Sequence, residues 1–249
     1  MKKITYKERS MFYTNELQKN DDDIILLKLI KNKYNIKISL LCPCASGIYL
    51  AEFSKFFEKS YFVDIERSMI KEVKKNMLIN HISNIETAIC NMININNLNI
   101  KCDCIFSLNQ GIQYLNYLEF EKFLNNVYFV TNYVVLSLFD FDQNGTLTYY
   151  NSQIADNSFY YSKSFLFMNK IIKRYNMHIH YDDFVNFWYF YYSNEELIFQ
   201  TTFKLYNYKY NLVKKIVDKN GKFYIHEKFS NKNGTYAIVL AKKELIKYE

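Results

Sequence analysis

One proline and five glycines are spread over 249 residues, so the backbone has few places where it is forced to break. No Pro- or Gly-rich linker, internal repeat or low-complexity tail divides the chain, which argues for one continuous domain. No apolar run approaches the roughly 20 residues that a membrane-crossing helix needs. The opening segment MKKITYKERSMFY carries lysines with no apolar stretch behind them and does not read as a secretory signal. Cysteines number five, an odd count, which suits a reducing cytoplasm better than a disulfide framework. There is also no dense Lys/Arg block. The 32 basic and 25 acidic residues leave a net charge of +7, but the lysines are scattered among Asn, Ile and Tyr. Neither a nucleic-acid face nor a membrane surface is expected from that spread.

What is abundant is core-forming material: 49% hydrophobic residues, 18% of all residues being aromatic, which excludes a disordered chain. Short continuous apolar runs, KISLLC, YFVD, IETAIC, CDCIFSL and YVVLSLFDF, read as strands buried on both faces. Between them lie segments of helical spacing: TNELQKNDDDIILLKLIKNKY with Ile24, Leu27 and Ile30, then IYLAEFSKFFEKS, RSMIKEVKKNMLINH and YLEFEKFLNNV. Strands alternating with helices predict an α/β, doubly wound and largely parallel sheet. From about Gly145 to Tyr206 the pattern turns aromatic, polar and strand-like, and HIHYDDFVNFWYFYYSNEELIFQTTFKLY reads as a hairpin turned at Ser193–Asn194. A last helix, YNLVKKIVDKNG, stops at Gly221. The runs KFYIHEKFS and TYAIVLAKK flank an Asn-Gly turn signal, so the parallel half ends in an antiparallel hairpin.

In such a sheet the ligand sits beyond the carboxyl ends of the strands, where strand order reverses. The first strand ends at Cys42–Cys44, and the small residues of PCASG would let a ligand approach the backbone ahead of a helix N-terminus. Asp64 ends the second strand, seventeen residues after Gly47, and is placed either to accept bonds from two ribose hydroxyls or to cap the helix that follows IERSM.

The order of segments resembles a class I S-adenosylmethionine-dependent methyltransferase. LLCPCASGIYL is similar to the first motif of that family, FVDIERSMI to the second, with Asp64 followed by Met69, and ICNMINI stands where Gly-Asp-Met is usual. CDCIFSLNQGIQYL matches the strand with a substrate-facing end, and the terminal hairpin matches the antiparallel last strand. The second half resembles the small-molecule N- and O-methyltransferases, including those acting on amino sugars, which insert an antiparallel sheet after the fifth strand. The resemblance implies a Rossmann-like, seven-stranded sheet with an inserted antiparallel β lid at about residues 141–207, all within a single domain of residues 1–249.

It also implies an activity: transfer of a methyl group from S-adenosylmethionine to an oxygen or nitrogen of a small metabolite, by a cytoplasmic monomer or homodimer. The implied cofactor residues are Tyr13, Cys44, Ala45, Ser46, Gly47, Asp64, Ile65, Met69, Asn91, Met92, Leu108 and Asn109. In that picture Asp64 holds the ribose diol, Ile65 and Met92 sandwich the adenine, and Asn91 accepts from its amine. Leu41, Ala45 and Asn91 depart from the family pattern, replacing an acid, a glycine and an Asp. Leu41 and Ala45 keep open the alternative of a non-catalytic methyltransferase-like subunit or ligand sensor. Ala45 is tolerated where its φ stays negative.

Beyond the fourth strand, Gln110, Gln113 and Tyr114 are expected beside the substrate. Trp188, in the cluster FVNFWYFYYS, lines either a substrate pocket, the core of the inserted sheet, or a dimer face. His178 and His180, with Asp182 next on the same side, are candidate catalytic bases, polar residues of an exposed strand, or a His-x-His metal pair. Cys42-x-Cys44 and Cys102-x-Cys104 fall at opposite ends of parallel neighbours, so no metal site is expected from them.

Overall fold

The computed structural model describes residues 19–140, 160–230 and 235–248. Helix α1 (Asp21–Lys33) starts where the Asn20 side chain accepts from the Asp22 N–H at 3.1 Å. Three aspartates fill its first turn and two lysines its last, both favourable to the helix dipole. There follow β1 (Ile38–Leu41), α2 (Leu50–Phe56), β2 (Lys59–Asp64), α3 (Arg67–Ile79) and β3 (Ile85–Ile89). A 3-10 segment (Met92–Leu98) leads to β4 (Cys102–Ser107), and a short 3-10 turn (Gly111–Tyr114) to α4 (Tyr117–Val127) and β5 (Thr131–Phe139). Helix α4 begins with a full capping box: Asn116 accepts from the Glu119 N–H, and the Glu119 carboxylate accepts from the Asn116 N–H.

Four strands come next: β6 (Tyr160–Phe167), β7 (Lys170–His180), β8 (Phe184–Ser193) and β9 (Glu196–Tyr206). The chain closes with α5 (Tyr210–Asn220), β10 (Phe223–Ser230) and β11 (Thr235–Lys242). Gly221 ends α5 at φ +73, the left-handed cap that only glycine adopts without strain.

Seven strands form the main sheet in the order β10-β11-β5-β4-β1-β2-β3. β11 runs antiparallel to both of its neighbours, and the remaining pairs are parallel. This is the Rossmann-like sheet with an antiparallel last strand that the sequence predicted. β1 lies between β2 and β4, so the direction of winding reverses beside its carboxyl end. Adjacent residues feed opposite layers: Leu40 packs with α4 and α5, and Leu41 with α1, α2 and α3. Each is 1% exposed or less, which stabilises the fold by about 2 kcal/mol per side chain.

The second sheet is antiparallel throughout, in the order β6-β7-β8-β9. Its last turn is at Asn194–Glu195, one residue beyond the expected one, and both residues have positive φ. The histidines belong to β7 rather than to that hairpin, and the strand ends before Asp182, which lies in the exposed turn to β8. Asp182 therefore does not continue the row of His178 and His180.

Candidate functional site

The carboxyl ends of β1, β2 and β4 enclose a cleft of about 350 Å³, a volume suited to a small organic ligand. Its walls come from the loop after β1 (Pro43, Ala45), the end of β2 (Asp64, Ile65, Glu66), the start of α3 (Met69) and the segment after β3 (Asn91, Met92, Ile93). Gly111, Tyr114, Leu115 and Glu119 close the remaining side. A small cavity of about 40 Å³ adjoins it. The two share Pro43, Ala45, Gly111 and Tyr114, and the smaller adds Cys44, Tyr49, Leu108 and Asn109. Of the predicted cofactor residues, Asp64, Ile65, Met69, Asn91 and Met92 meet around the larger cavity, Cys44, Leu108 and Asn109 around the smaller, and Ala45 around both.

Asp64 does not cap α3, whose N-cap is Glu66 with no side-chain cap bond; its carboxylate instead fastens backbone on two sides. One carboxylate oxygen accepts from the Glu66 N–H at 2.9 Å, at the entry to α3. The other accepts from the Ala45 N–H at 2.8 Å, so the end of β2 holds the loop after β1. The side chain is 5% exposed, and burial pushes its carboxyl above the usual aspartate value against the pull of those N–H groups. Asn91 is the N-cap of the 3-10 segment, its side-chain oxygen accepting from the Ile93 N–H at 3.0 Å.

Ala45 corrects the expectation attached to it. Its φ is +49, so the turn keeps the left-handed geometry of a glycine loop although a methyl group is present. Gly47, at φ +83, lies behind the loop rather than against either cavity. A Cβ there would stand 3.1 Å from Val73 Cγ2, so this glycine lets the loop pack on α3. Ser46 is 1% exposed and lines neither cavity.

After β4, Asn109 (φ +49) and Gln110 (φ +64) are both left-handed. Gln110 turns the chain and lines neither cavity. Gly111 follows because space runs out: a Cβ would sit 2.4 Å from Pro43 Cδ and 2.9 Å from Ser107 Oγ. Pro43 and Gly111 were not singled out in the sequence. The signal available was a lone glycine and the lone proline at the ends of two strands that this topology makes neighbours.

Gln113 is a correction. It is fully buried, and its Nε2 donates to the carbonyls of Phe139 (3.0 Å) and Tyr206 (2.9 Å), while Oε1 accepts from the Phe139 N–H at 2.7 Å. It therefore ties the end of β5 to the end of β9, the two roots of the inserted sheet, and offers nothing to a substrate. Tyr114, by contrast, is 42% exposed at the cleft and meets Phe203 of β9 at 6.0 Å between ring centroids.

Phe203 stacks on Phe187 at 5.0 Å, and His178 pairs with Phe187 across β7 and β8. His178 thus shares the face that reaches Tyr114, and it is 4% exposed rather than solvated. Trp188 is one residue out of phase with Phe187 and falls on the opposite face. It is not brought to the cleft, and its indole N–H finds no partner among the described residues. The side chain of His180 and the whole of Tyr13 lie outside the described residues.

The cysteine register agrees with the reading from sequence. Cys104 pairs with Ser39, low on β1, while the Cys42 N–H bonds Phe106 near the top of β4. Burial pushes the thiols of Cys42, Cys44 and Cys104 well up, which keeps them protonated and unreactive at neutral pH.

The charge of the larger cleft is its clearest chemical feature. Among the described residues, three of its fifteen lining residues are acidic, Asp64, Glu66 and Glu119, and none is Lys, Arg or His, in a protein of net charge +7. Polyphosphate nucleotides are disfavoured by such a lining; a ligand rich in hydroxyl and amine donors, or carrying positive charge, is favoured.

No family model and no curated protein matches the chain. Solved structures do. One is an S-adenosylmethionine-dependent methyltransferase from Clostridium acetobutylicum, with a TM-score of 0.74 at 16% identity over 95% of this chain and 98% of that one. DesVI from Streptomyces venezuelae also gives 0.74, at 11% identity over 97% and 100%. CalS10 from Micromonospora echinaspora, an amino pentose methyltransferase solved with S-adenosylmethionine bound, gives 0.70 at 10% identity over 96% and 98%. Over almost its whole length, the inserted sheet included, the chain therefore has the fold of S-adenosylmethionine-dependent methyltransferases.

Proposed function

We propose that this protein is a methyltransferase that uses S-adenosylmethionine to methylate an oxygen or nitrogen of a small metabolite. The observation that carries the reading is the cleft at the carboxyl ends of β1, β2 and β4, walled by Asp64, Ile65, Asn91 and Met92 and, among the described residues, lined by acids and no cation. The donor set fits the group. Asp64 retains lone pairs for ribose hydroxyls after accepting its backbone bonds, and Asn91 retains one for an adenine amine. Ile65, 57% exposed, and Met92 supply apolar faces for a purine.

When bound, S-adenosylmethionine supplies a methyl group already activated by a positively charged sulfur. The work left to the chain is orientation and exclusion of water. Tyr114 and the Phe187–Phe203 stack close the side between the cleft and the inserted sheet, which we read as the acceptor subdomain. His178, on the same face, is the residue we assign to proton transfer from the acceptor. The alternative of a decayed, non-catalytic subunit rested on Leu41 and Ala45. Ala45 keeps the left-handed turn and leaves the cleft open, which weighs against it.

Calorimetric titration of the purified protein with S-adenosylmethionine and S-adenosylhomocysteine tests the reading. Micromolar binding of both is expected, and mass-spectrometric screening of amine and hydroxyl acceptors follows from it. Absence of heat with either ligand would discard the assignment.

A further inference from the structure

One buried acid takes no part in the reading above. Asp23, in the first turn of α1, is 2% exposed, and its carboxylate accepts from the Tyr49 hydroxyl at 2.7 Å. The Ser137 hydroxyl and the Asn109 backbone N–H add weaker support to its charged form. No Lys, Arg or His forms an ion pair with it among the described residues. Burial accordingly pushes its carboxyl above the usual aspartate value. A buried carboxylate without a counter-cation is costly to keep, and groups of this kind gather at functional sites.

Its position indicates what it serves. Tyr49 is 2% exposed and lines the small cavity together with Leu41, Leu108 and Asn109. Leu41 occupies the position where the resembling family commonly has an acid. It packs in the same layer as Leu26 and Leu27, the helical turn directly after Asp23. Among the described residues the cavity wall itself carries no charge, and through the Tyr49 hydroxyl it is joined to an acid of α1 rather than of β1.

We propose that Asp23, acting through Tyr49 and the Asn109 backbone, is the positioning residue that supplies the negative potential for the ammonium group of the cofactor's zwitterionic amino-acid end, in place of the acid missing at Leu41. This rests on the cofactor reading, and the experiment keeps the two apart. The intact protein is titrated with S-adenosylhomocysteine, which carries the amino acid, and with 5′-methylthioadenosine, which keeps the adenosine and sulfur but lacks it. Asp23→Asn is expected to weaken S-adenosylhomocysteine about tenfold while 5′-methylthioadenosine stays within about twofold. Tyr49→Phe, which keeps the ring and removes the hydroxyl, is expected to shift the same ratio by about threefold, and it decides the matter if Asp23→Asn does not fold. Equal losses for both ligands would reduce Asp23 to a structural role, and an unchanged ratio in the variants that fold would also overturn the proposal. A wild-type protein that binds neither ligand would overturn the cofactor reading and this inference with it.

Discussion

The loops after β1 and β4 form facing walls of one cleft and hold non-glycine residues in left-handed geometry with different support. After β1, a turn bond from the Gly47 N–H to the Cys44 carbonyl (3.1 Å) is reinforced from outside: the Asp64 carboxylate takes the Ala45 N–H at 2.8 Å. After β4, Asn109 and Gln110 are held from within, by turn bonds from the Gly111 N–H to the Leu108 carbonyl (3.0 Å) and from the Gln113 N–H to the Gln110 carbonyl (2.9 Å). The glycines then do different jobs. Gly47 supplies a positive φ, whereas Gly111 supplies absence of volume. A glycine missing from a motif thus does not mean the turn is missing, provided a carboxylate or a bonded turn holds the backbone in its place.

Gly111 is where the two walls meet, so its substitution breaks the comparison most severely. In Gly111→Ala the new methyl has the Pro43 ring at 2.4 Å and Ser107 Oγ at 2.9 Å, and one loop must move. A loss of about 3 kcal/mol in urea unfolding is expected. A loss below about 1 kcal/mol would show that the loops are independent and slide apart freely.

Gln113 extends the β4 loop to the inserted sheet. Gln113→Leu keeps the volume but leaves the N–H and carbonyl of Phe139 and the carbonyl of Tyr206 without their partner. A cost of roughly 2 kcal/mol follows from stranding buried polar groups, with faster amide exchange concentrated at the ends of β5 and β9. Uniform exchange across both sheets would mean the tie is not what couples them. Tyr117 and Tyr208 brace the same junction, their hydroxyls donating to carbonyls of Asp183, Asn207, Leu115 and Asn116 at 3.1–3.3 Å.

The sheet and helices were legible because period and burial agree: continuous apolar runs became the central strands, and YLEFEKFLNNV became α4 residue for residue. The wall of the cleft was legible in part: Asp64 was marked by its strand end and Asn91 by the family resemblance, and both line it. The rest depends on partners far apart in sequence. Nothing local distinguishes Gln113 as a tie from Gln113 as a ligand, since the distinction is made by Phe139 and Tyr206. Trp188 and Phe187 are adjacent letters, and only the register of β8 against its neighbours decides which one faces Tyr114. Ala45 was misread because alanine's dislike of positive φ is weak enough for one good hydrogen bond and a packed turn to override.

On the proposed reading, Asp64 joins the first loop, whose Ala45 N–H it accepts, to the ligand in the cleft it lines. Burial holds its carboxyl above the usual value, and hydroxyl donors favour its charged form. Cofactor affinity should therefore fall as pH drops through that raised value, because protonation removes the acceptor that donors need. Asp64→Asn is expected to lower affinity about tenfold and to flatten the acid limb of the profile. A variant that binds weakly but keeps the wild-type pH dependence would show that Asp64 does not set the acid limb.

The smallest effect concerns Ala45 itself. A left-handed non-glycine residue costs about 1–2 kcal/mol, while glycine gives back about 0.4–1 kcal/mol through the freedom of the unfolded chain. Ala45→Gly should thus stabilise the protein by about 0.5 kcal/mol, a rise in Tm of about 1–2 °C, with S-adenosylhomocysteine binding unchanged or slightly tighter. Gln110→Gly is the matched substitution in the other loop. Because that loop is held by its own turn bonds, removal of the side chain should gain a similar amount without touching affinity. If Ala45→Gly instead lowers Tm, the methyl shared by the two cavities stabilises the wall more than its φ strains it, and the loop after β1 depends on packing as the loop after β4 does.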